Sequence, residues 1–285
     1  MSSTREIKKR IANVSSVEQL IKAMDMVSST KLVRSRQQLN GVRPIYQELR
    51  RIIEEVGAKK EAKNHMFYTK REVKNSLYIV LTSNRGLAGG YNSNICKKTL
   101  EHINTDKNEK ILVVGTKGYE YFRKLNKNIV HSIVDVSDAN VYYGSENLAN
   151  KILDSYLSDD VQEVFVAYTE FHNVLNYEPV IDRVLPIDPI ETHDQEVLEM
   201  NYTPSVEVFI DEMIPLYLHM HMFRAFSEAH TSEMAARMVN MDAAGKNAED
   251  ILDDLHRSYN RKRQDAITQE LNEIVGSASV LKKED

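Results

Sequence analysis

One cysteine, Cys96, is the whole thiol inventory of this chain, so neither an intrachain disulfide nor a multi-cysteine zinc site is possible. A lone small thiol of this kind is read as buried core. Glycine and proline are scarce too, 10 and 6 in 285 residues. So few turn formers disfavour a many-stranded β fold and favour long uninterrupted helices. No run approaches the ~20 apolar residues of a membrane-spanning helix, and the mean hydropathy is −0.45. Tryptophan is absent, which decides nothing. The opening, Met1 to Arg10, has no apolar stretch and no small-residue cleavage site. A secretory signal is therefore not expected there, and the expected compartment is the cytosol. What the chain does have is a hydrophobic fraction of 42%, enough for a core in one large or two modest domains of ~150 residues each.

The net charge of −5 hides an asymmetry. Residues 1–60 carry 13 Lys and Arg against 6 Asp and Glu, a net of +7, whereas residues 130–212 carry 2 against 18, a net of −16. A basic helical segment attracts phosphate, anionic membrane or an acidic protein surface by the same Coulomb force. The acidic middle and a sequence pI near 6.0 argue against nucleic acid, whose phosphates that middle would repel.

From Ile7, alternating steps of four and three run through Ile11, Val14, Glu18, Ile21, Asp25, Ser28, Leu32, Ser35, Leu39, Val42, Tyr46, Leu49, Ile53 and Val56. This is a coiled-coil seam sustained over about seven heptads. Its polar and small members, Glu18, Asp25, Ser28 and Ser35, cluster in one half, where thin packing is expected. Gly41 and Pro44 predict a local kink near Val42 without a full stop. At 1.5 Å per residue the helix would run roughly 80 Å. At the other end Thr203-Pro204-Ser205 reads as a helix start. Phe209, Met213, Leu216, Met220 and Phe223 keep the four-three spacing after it, and Ile267, Leu271, Ile274, Ala278 and Leu281 resume it. Pro215 should kink that helix and Gly245-Lys246-Asn247 should loosen it. Residues 205–281 would extend roughly 115 Å if helical throughout.

Between the helices the period changes. Ser76–Thr82, Lys110–Gly115 and Val161–Tyr168 are short β-branched runs that fit strands buried on both faces. Helical stretches follow at Ser93–Asn104, Gly118–Asn126 and Ser145–Ser158. Strand and helix alternation predicts a Rossmann-like parallel sheet with right-handed crossovers. Val180–Asp188 offers an edge strand closed by Pro186 and Pro189. The expected organisation is an α/β protein: an N-terminal helix (1–57), a linker (58–75), the α/β domain (76–188), an acidic linker (189–204) and a C-terminal helix (205–285), the two helices forming an antiparallel coiled coil.

The most enzyme-like feature is Asn84-Arg85-Gly86-Leu87-Ala88-Gly89-Gly90, set after a strand and before a helix where phosphate-binding loops occur. It lacks both GxGxxG and the Lys-Ser/Thr that completes a P-loop. Its glycines, and those of Gly115-Thr116-Lys117-Gly118, serve equally well to allow a tight turn with positive φ. His219 and His221, two apart on a helix, face different ways and cannot share a metal. Acidic pairs such as Asp159-Asp160 and Asp253-Asp254 read as solvated surface, because acid-base work needs two carboxylates converging in a cleft. No catalytic residue, metal site or cofactor is expected.

Four stretches in chain order carry a resemblance. Arg5-Glu6-Ile7-Lys8-Lys9-Arg10-Ile11 with Ile21-Lys22-Ala23-Met24-Asp25-Met26-Val27, the glycine turn, Ser232-Glu233-Met234-Ala235-Ala236-Arg237-Met238, and Tyr259-Asn260-Arg261-Lys262-Arg263-Gln264-Asp265-Ala266-Ile267-Thr268-Gln269-Glu270-Leu271 resemble the gamma subunit of the F-type ATP synthase. The resemblance implies a rotor without bond chemistry of its own. Its helical coiled coil would stand in a hexamer of alpha and beta subunits, with its α/β domain on the membrane c-ring beside epsilon. It implies partner-binding roles for Met24, Arg237, Arg263, Gln264 and Thr268 against the alpha-beta hexamer, and places the protein peripherally at the cytoplasmic face of a bacterial plasma membrane. Basic residues in the first helix suit the acidic beta loop that the family's shaft meets. Three positions depart from the family: Asn84 and Ala88 stand where its turn usually has Asp and Cys, and Asp265 follows Gln264 where a small residue is usual. Neither a chloroplast-type cysteine pair nor a mitochondrial presequence is seen. The competing reading is a nucleotide-binding α/β enzyme with a coiled-coil arm.

Overall fold

The computed structural model describes residues 4–103, 107–134, 141–190 and 202–281, without the side chains of 276–281. Most of the acidic linker, the end of the second predicted helix at Asn104, and the seam side chains of Ala278 and Leu281 lie outside the described residues. In chain order the elements are α1 (Thr4–Gly57), β1 (Asn75–Leu81), α2 (Tyr91–His102), β2 (Asn108–Val114), α3 (Thr116–Lys124), β3 (Ile129–Ile133), α4 (Val141–Leu157), β4 (Glu163–Phe171), β5 (Tyr177–Leu185) and α5 (Val206–Leu281). They fall into two compact units, one of residues 1–27 with 238–285 and one of residues 28–237.

The larger unit holds a five-stranded sheet in the order β3-β2-β1-β4-β5. β1 pairs in parallel with β2 and β4, and β2 with β3. β5 runs antiparallel to β4, so the parallel expectation holds for the three central strands it named and is corrected at the edge strand β5. Only residues 172–176 separate β4 from β5, too few for the dozen-residue crossover a parallel return requires. β3 went unread in the sequence because it is a short, mostly exposed edge strand, Ile-Val-His-Ser-Ile.

β1 shows why the centre of the sheet is apolar throughout. Tyr78 and Val80 point to a face covered by Ile95 and Cys96 of α2 and Phe122 of α3. Leu77, Ile79 and Leu81 point to the other, covered by Leu148, Ile152 and Tyr156 of α4 and by Tyr46, Ile53, Ile214 and Leu218 of the two long helices. Alternation along a pleated strand therefore meets helix on both sides. Burial pushes the Cys96 thiol up to about 12, leaving it inert. Residues between α1 and β1 pack onto the same core, with Ala62, Phe67 and Tyr68 buried. The Tyr68 hydroxyl donates to the Ile53 carbonyl at 2.8 Å.

Burial along α1 follows the predicted seam. Ser28, Leu32, Ser35, Leu39, Val42, Tyr46, Leu49, Ile53 and Val56 are all buried. Ile11, Val14, Glu18, Ile21 and Asp25, in the smaller unit, are half-buried, which matches the thin packing their polar members imply. Pro44 and Pro215 lie inside their helices without ending them, held on both sides by buried Val42, Tyr46, Ile214 and Tyr217. Ser205 caps α5, its hydroxyl accepting from the Val208 N–H at 3.3 Å. One register is corrected. Ile210, Ile214, Leu218 and Met222 are buried, whereas the expected seam member Leu216 is 46% exposed. Between Tyr217 and Arg237 the helix is covered on nearly every face, a burial wider than a two-helix seam can produce.

Candidate functional site

In a sheet of this order, ligands bind where the crossovers diverge, outside the carboxyl ends of β1 and β4. Here that crevice is filled by α5. The Tyr91 hydroxyl donates to the Ala229 carbonyl at 2.8 Å, the Ser232 hydroxyl to Thr169 O at 3.1 Å, and Ala88, Tyr91 and Ala236 form a small buried cluster. Arg237, 6% exposed, donates to the Gly86 carbonyl at 3.4 Å from both Nε and Nη2 and to Glu233 Oε1 at 2.6 Å. Asn84 Oδ1 accepts from the Thr116 N–H at 3.1 Å, joining the two glycine turns. A cavity of about 70 Å³ is left, edged by Thr82, Asn84, Gly115, His230 and Glu233. Small-molecule pockets occupy ~300–1,000 Å³, and the Glu233 carboxylate would repel phosphate. The turn that looked like a phosphate cradle is a clamp on a helix.

A buried polar network lies beside it. Glu228, 1% exposed, accepts from Arg43 Nε at 2.7 Å and Nη2 at 2.8 Å, and from the Phe171 N–H at 2.9 Å. Arg43 also donates to the Phe171 carbonyl. Arg224 lies 4.4 Å over the Tyr46 ring and donates to Asp182 Oδ2 at 3.0 Å, which the Tyr168 hydroxyl also reaches at 2.8 Å. Sequence reading missed this network because its members are distant in the chain and the pattern marks a seam, not its polar partners.

His219 and His221 turn to different neighbours, as their spacing requires. His219 Nε2 lies 3.2 Å from the Tyr142 carbonyl, and His221 Nδ1 lies 2.8 Å from the Tyr46 hydroxyl. Burial, with Arg224 and Arg50 adding to it, holds the His221 imidazole well below its ordinary 6.5. In the unfolded chain it takes a proton below that value, and in the folded chain it does not. Stability is therefore unaffected above pH ~6.5 and falls as pH drops below it, by up to ~1.4 kcal/mol per pH unit. His221→Gln should flatten that acid limb in melting curves between pH 7 and 5, on the scale of this one titration; a limb of unchanged slope would refute the assignment.

In the smaller unit Lys22 donates to Glu18 on its own helix at 2.6 Å and to Glu249 of α5 at 2.9 Å. Both carboxylates raise its ammonium above the ordinary value. Met24 is half-buried. Arg263, Gln264 and Thr268 are exposed, as is every residue from 263 to 275. Thr268 Oγ1 donates back to the Gln264 backbone carbonyl at 2.9 Å. Ile267 and Leu271, expected in a seam, are 48% and 56% exposed. Arg237 thus stands apart from the other four candidates, buried in the larger unit.

A doubly wound α/β body with both terminal helices packed across its sheet is the class this fold defines. Residues 3–281 match the family model described as ATP synthase. The chain is 36% identical over 282 residues to the ATP synthase gamma chain of Desulforamulus reducens, covering 99% of this chain and 100% of that one. It is 38% identical over 292 residues to that of Ruminiclostridium cellulolyticum, covering 98% and 99%. A chain of the Euglena gracilis mitochondrial ATP synthase rotor shares the fold, with a TM-score of 0.69 at 20% identity over 93% of this chain and 98% of that one. The chain belongs to the ATP synthase gamma-chain family.

Proposed function

We propose that this chain is the central rotor shaft of an F-type ATP synthase, coupling proton flow through a membrane c-ring to ATP synthesis and hydrolysis in an alpha-beta hexamer. The observation that carries the reading, beside family membership, is the stretch 263–275. It is exposed on every face and mixes hydrogen-bonding with large apolar side chains, the surface of a helix meant to lie inside partners. Arg263, Gln264 and Thr268 of this stretch, with Met24 of α1, are the chain's contacts with the hexamer. Arg supplies a fixed fork of donors and Gln both a donor and an acceptor. Arg237 serves the same coupling from inside, holding the Asn84–Gly90 turn to α5. The chain performs no bond chemistry itself, a reading favoured by the helix-filled crevice over the alternative of a nucleotide-binding enzyme. Epsilon and the c-ring meet the α/β body. Among the described residues no helix is long and apolar enough to cross a membrane, and the complex holds the chain peripherally at the cytoplasmic face of a bacterial membrane.

The test is ATP hydrolysis by a matching alpha-beta hexamer with and without the purified chain. Stoichiometric stimulation, with rotation of a bead fixed to the α/β body, is expected. No association at micromolar concentration, together with a rise in melting temperature in millimolar ATP, would favour the enzyme instead. Within the complex, Arg263→Ala should lower turnover by about tenfold and leave assembly intact, since it removes one charge-assisted hydrogen bond of roughly 1.5 kcal/mol. Unchanged turnover in a normally assembled complex would remove Arg263 from the contact set.

A further inference from the structure

We propose that the β4–β5 hairpin carries a site for a divalent transition metal of the zinc type, formed by Glu170, His172 and Glu178. One ligand atom from each lies within 4.8 Å of the others. His172 Nε2 and Glu178 Oε1 are 3.4 Å apart, about the separation that two ligands take around a tetrahedral ion with bonds of ~2.1 Å. Glu170 completes the set by a side-chain rotation. Three protein ligands leave the fourth position to water, and the imidazole selects against calcium and magnesium, which take oxygen ligands.

The sheet supplies an independent reason for a cation here. Glu170 and Glu178 are direct cross-strand partners, and like charges placed opposite one another destabilise a strand pair. Among the described residues no Lys or Arg forms an ion pair with either. A divalent ion replaces that repulsion with two bonds. His172 is 39% exposed and Glu178 59%, so the ion has an open approach. The hairpin end is already ordered: the His172 N–H donates to the Asn176 carbonyl at 3.2 Å, and Asn173 Oδ1 accepts from the N–H groups of Leu175 and Asn176 at 3.0 and 2.9 Å. Phe171 lies between two of the ligands, and its N–H donates to Glu228 at 2.9 Å. Metal binding is thereby linked to the buried network that holds α1 and α5 on the sheet. Chain spacing hid the site, since only strand register brings residue 178 beside residue 170.

Titration of zinc chloride into the full chain, followed by calorimetry, tests the proposal. The other eight of the nine histidines provide weak sites, so the readout is the loss of one equivalent. The unaltered chain should take up one equivalent at micromolar zinc, and His172→Ala should weaken that equivalent at least tenfold. Glu178→Gln supplies the second arm: it removes the like-charge pair, so the metal-free melting temperature should rise while zinc affinity falls at least tenfold. A variant that merely misfolds would lower both. Equal stoichiometry and affinity in the unaltered chain and both variants would overturn the site, as would uptake only at millimolar zinc.

Discussion

Glu228→Ala should cost about 3–5 kcal/mol of stability in the unit of residues 28–237, the range for breaking a buried ion pair by deleting one partner. The carboxylate accepts two bonds from Arg43 and one from the Phe171 N–H, and Arg224 Nη1 stands 4.0 Å away. Arg43 and Arg224 face two acids, Glu228 and Asp182, so the cluster is balanced in charge. Removing Glu228 leaves an excess cation where Arg224 is only 7% exposed and strands the Phe171 N–H. Glu228→Gln keeps an acceptor and loses the charge, so a smaller loss is expected. Arg43→Ala should also cost less, because that side chain is 31% exposed and Glu228 keeps its other neighbours. Urea unfolding of the three variants ranks them. A loss below ~1 kcal/mol for Glu228→Ala would mean that water reaches both guanidiniums. If the ranking holds, one buried carboxylate joins α1, α5 and the end of β4, the linkage a rotor body needs to turn with its helices.

How much of this was legible beforehand differed by the kind of information. The α1 seam was readable because a heptad is a local pattern, and burial from Ser28 to Val56 follows it position by position. The three central strands were readable because strands covered by helix on both faces become continuous apolar runs. β3 was not, since an edge strand need bury little, and its Val130 is 49% exposed. The α5 register was misread at Leu216 because the pattern assumed one partner, while the helix meets both α1 and the sheet. At the candidate site the turn Asn84–Gly90 was visible, with its structural purpose among the readings weighed. That the purpose is to hold a helix in the crevice depends on the pairing of Gly86 with Arg237, 151 positions away, which no local pattern encodes. Arg263, Gln264 and Thr268 are exposed, whereas the burial of Arg237 was not foreseen.

Gly115→Ala should destabilise the same unit by more than ~3 kcal/mol, with no comparable effect from Gly86→Ala. Gly115 ends β2 and caps α3 at φ 96° and ψ 143°, a region that residues with a Cβ rarely enter. An added Cβ would also lie 2.3 Å from the Thr82 carbonyl oxygen. That atom belongs to the backbone, so no rotamer change can relieve the clash. Thr82 is itself held, its N–H donating to the Val114 carbonyl at 2.8 Å, while its hydroxyl donates to that carbonyl at 2.7 Å and accepts from the Gly118 N–H at 2.9 Å. Moving it would loosen the ends of β1 and β2 together. At Gly86 a Cβ would meet nothing within 4 Å, so the substitution there controls for any general effect of altering a turn glycine. Denaturant midpoints of the two variants decide the matter: equal shifts would mean that the β2–α3 turn relaxes. A large shift at Gly115 alone would place the need for glycine in the approach of two strand ends, and leave the phosphate explanation of these turns without work to do.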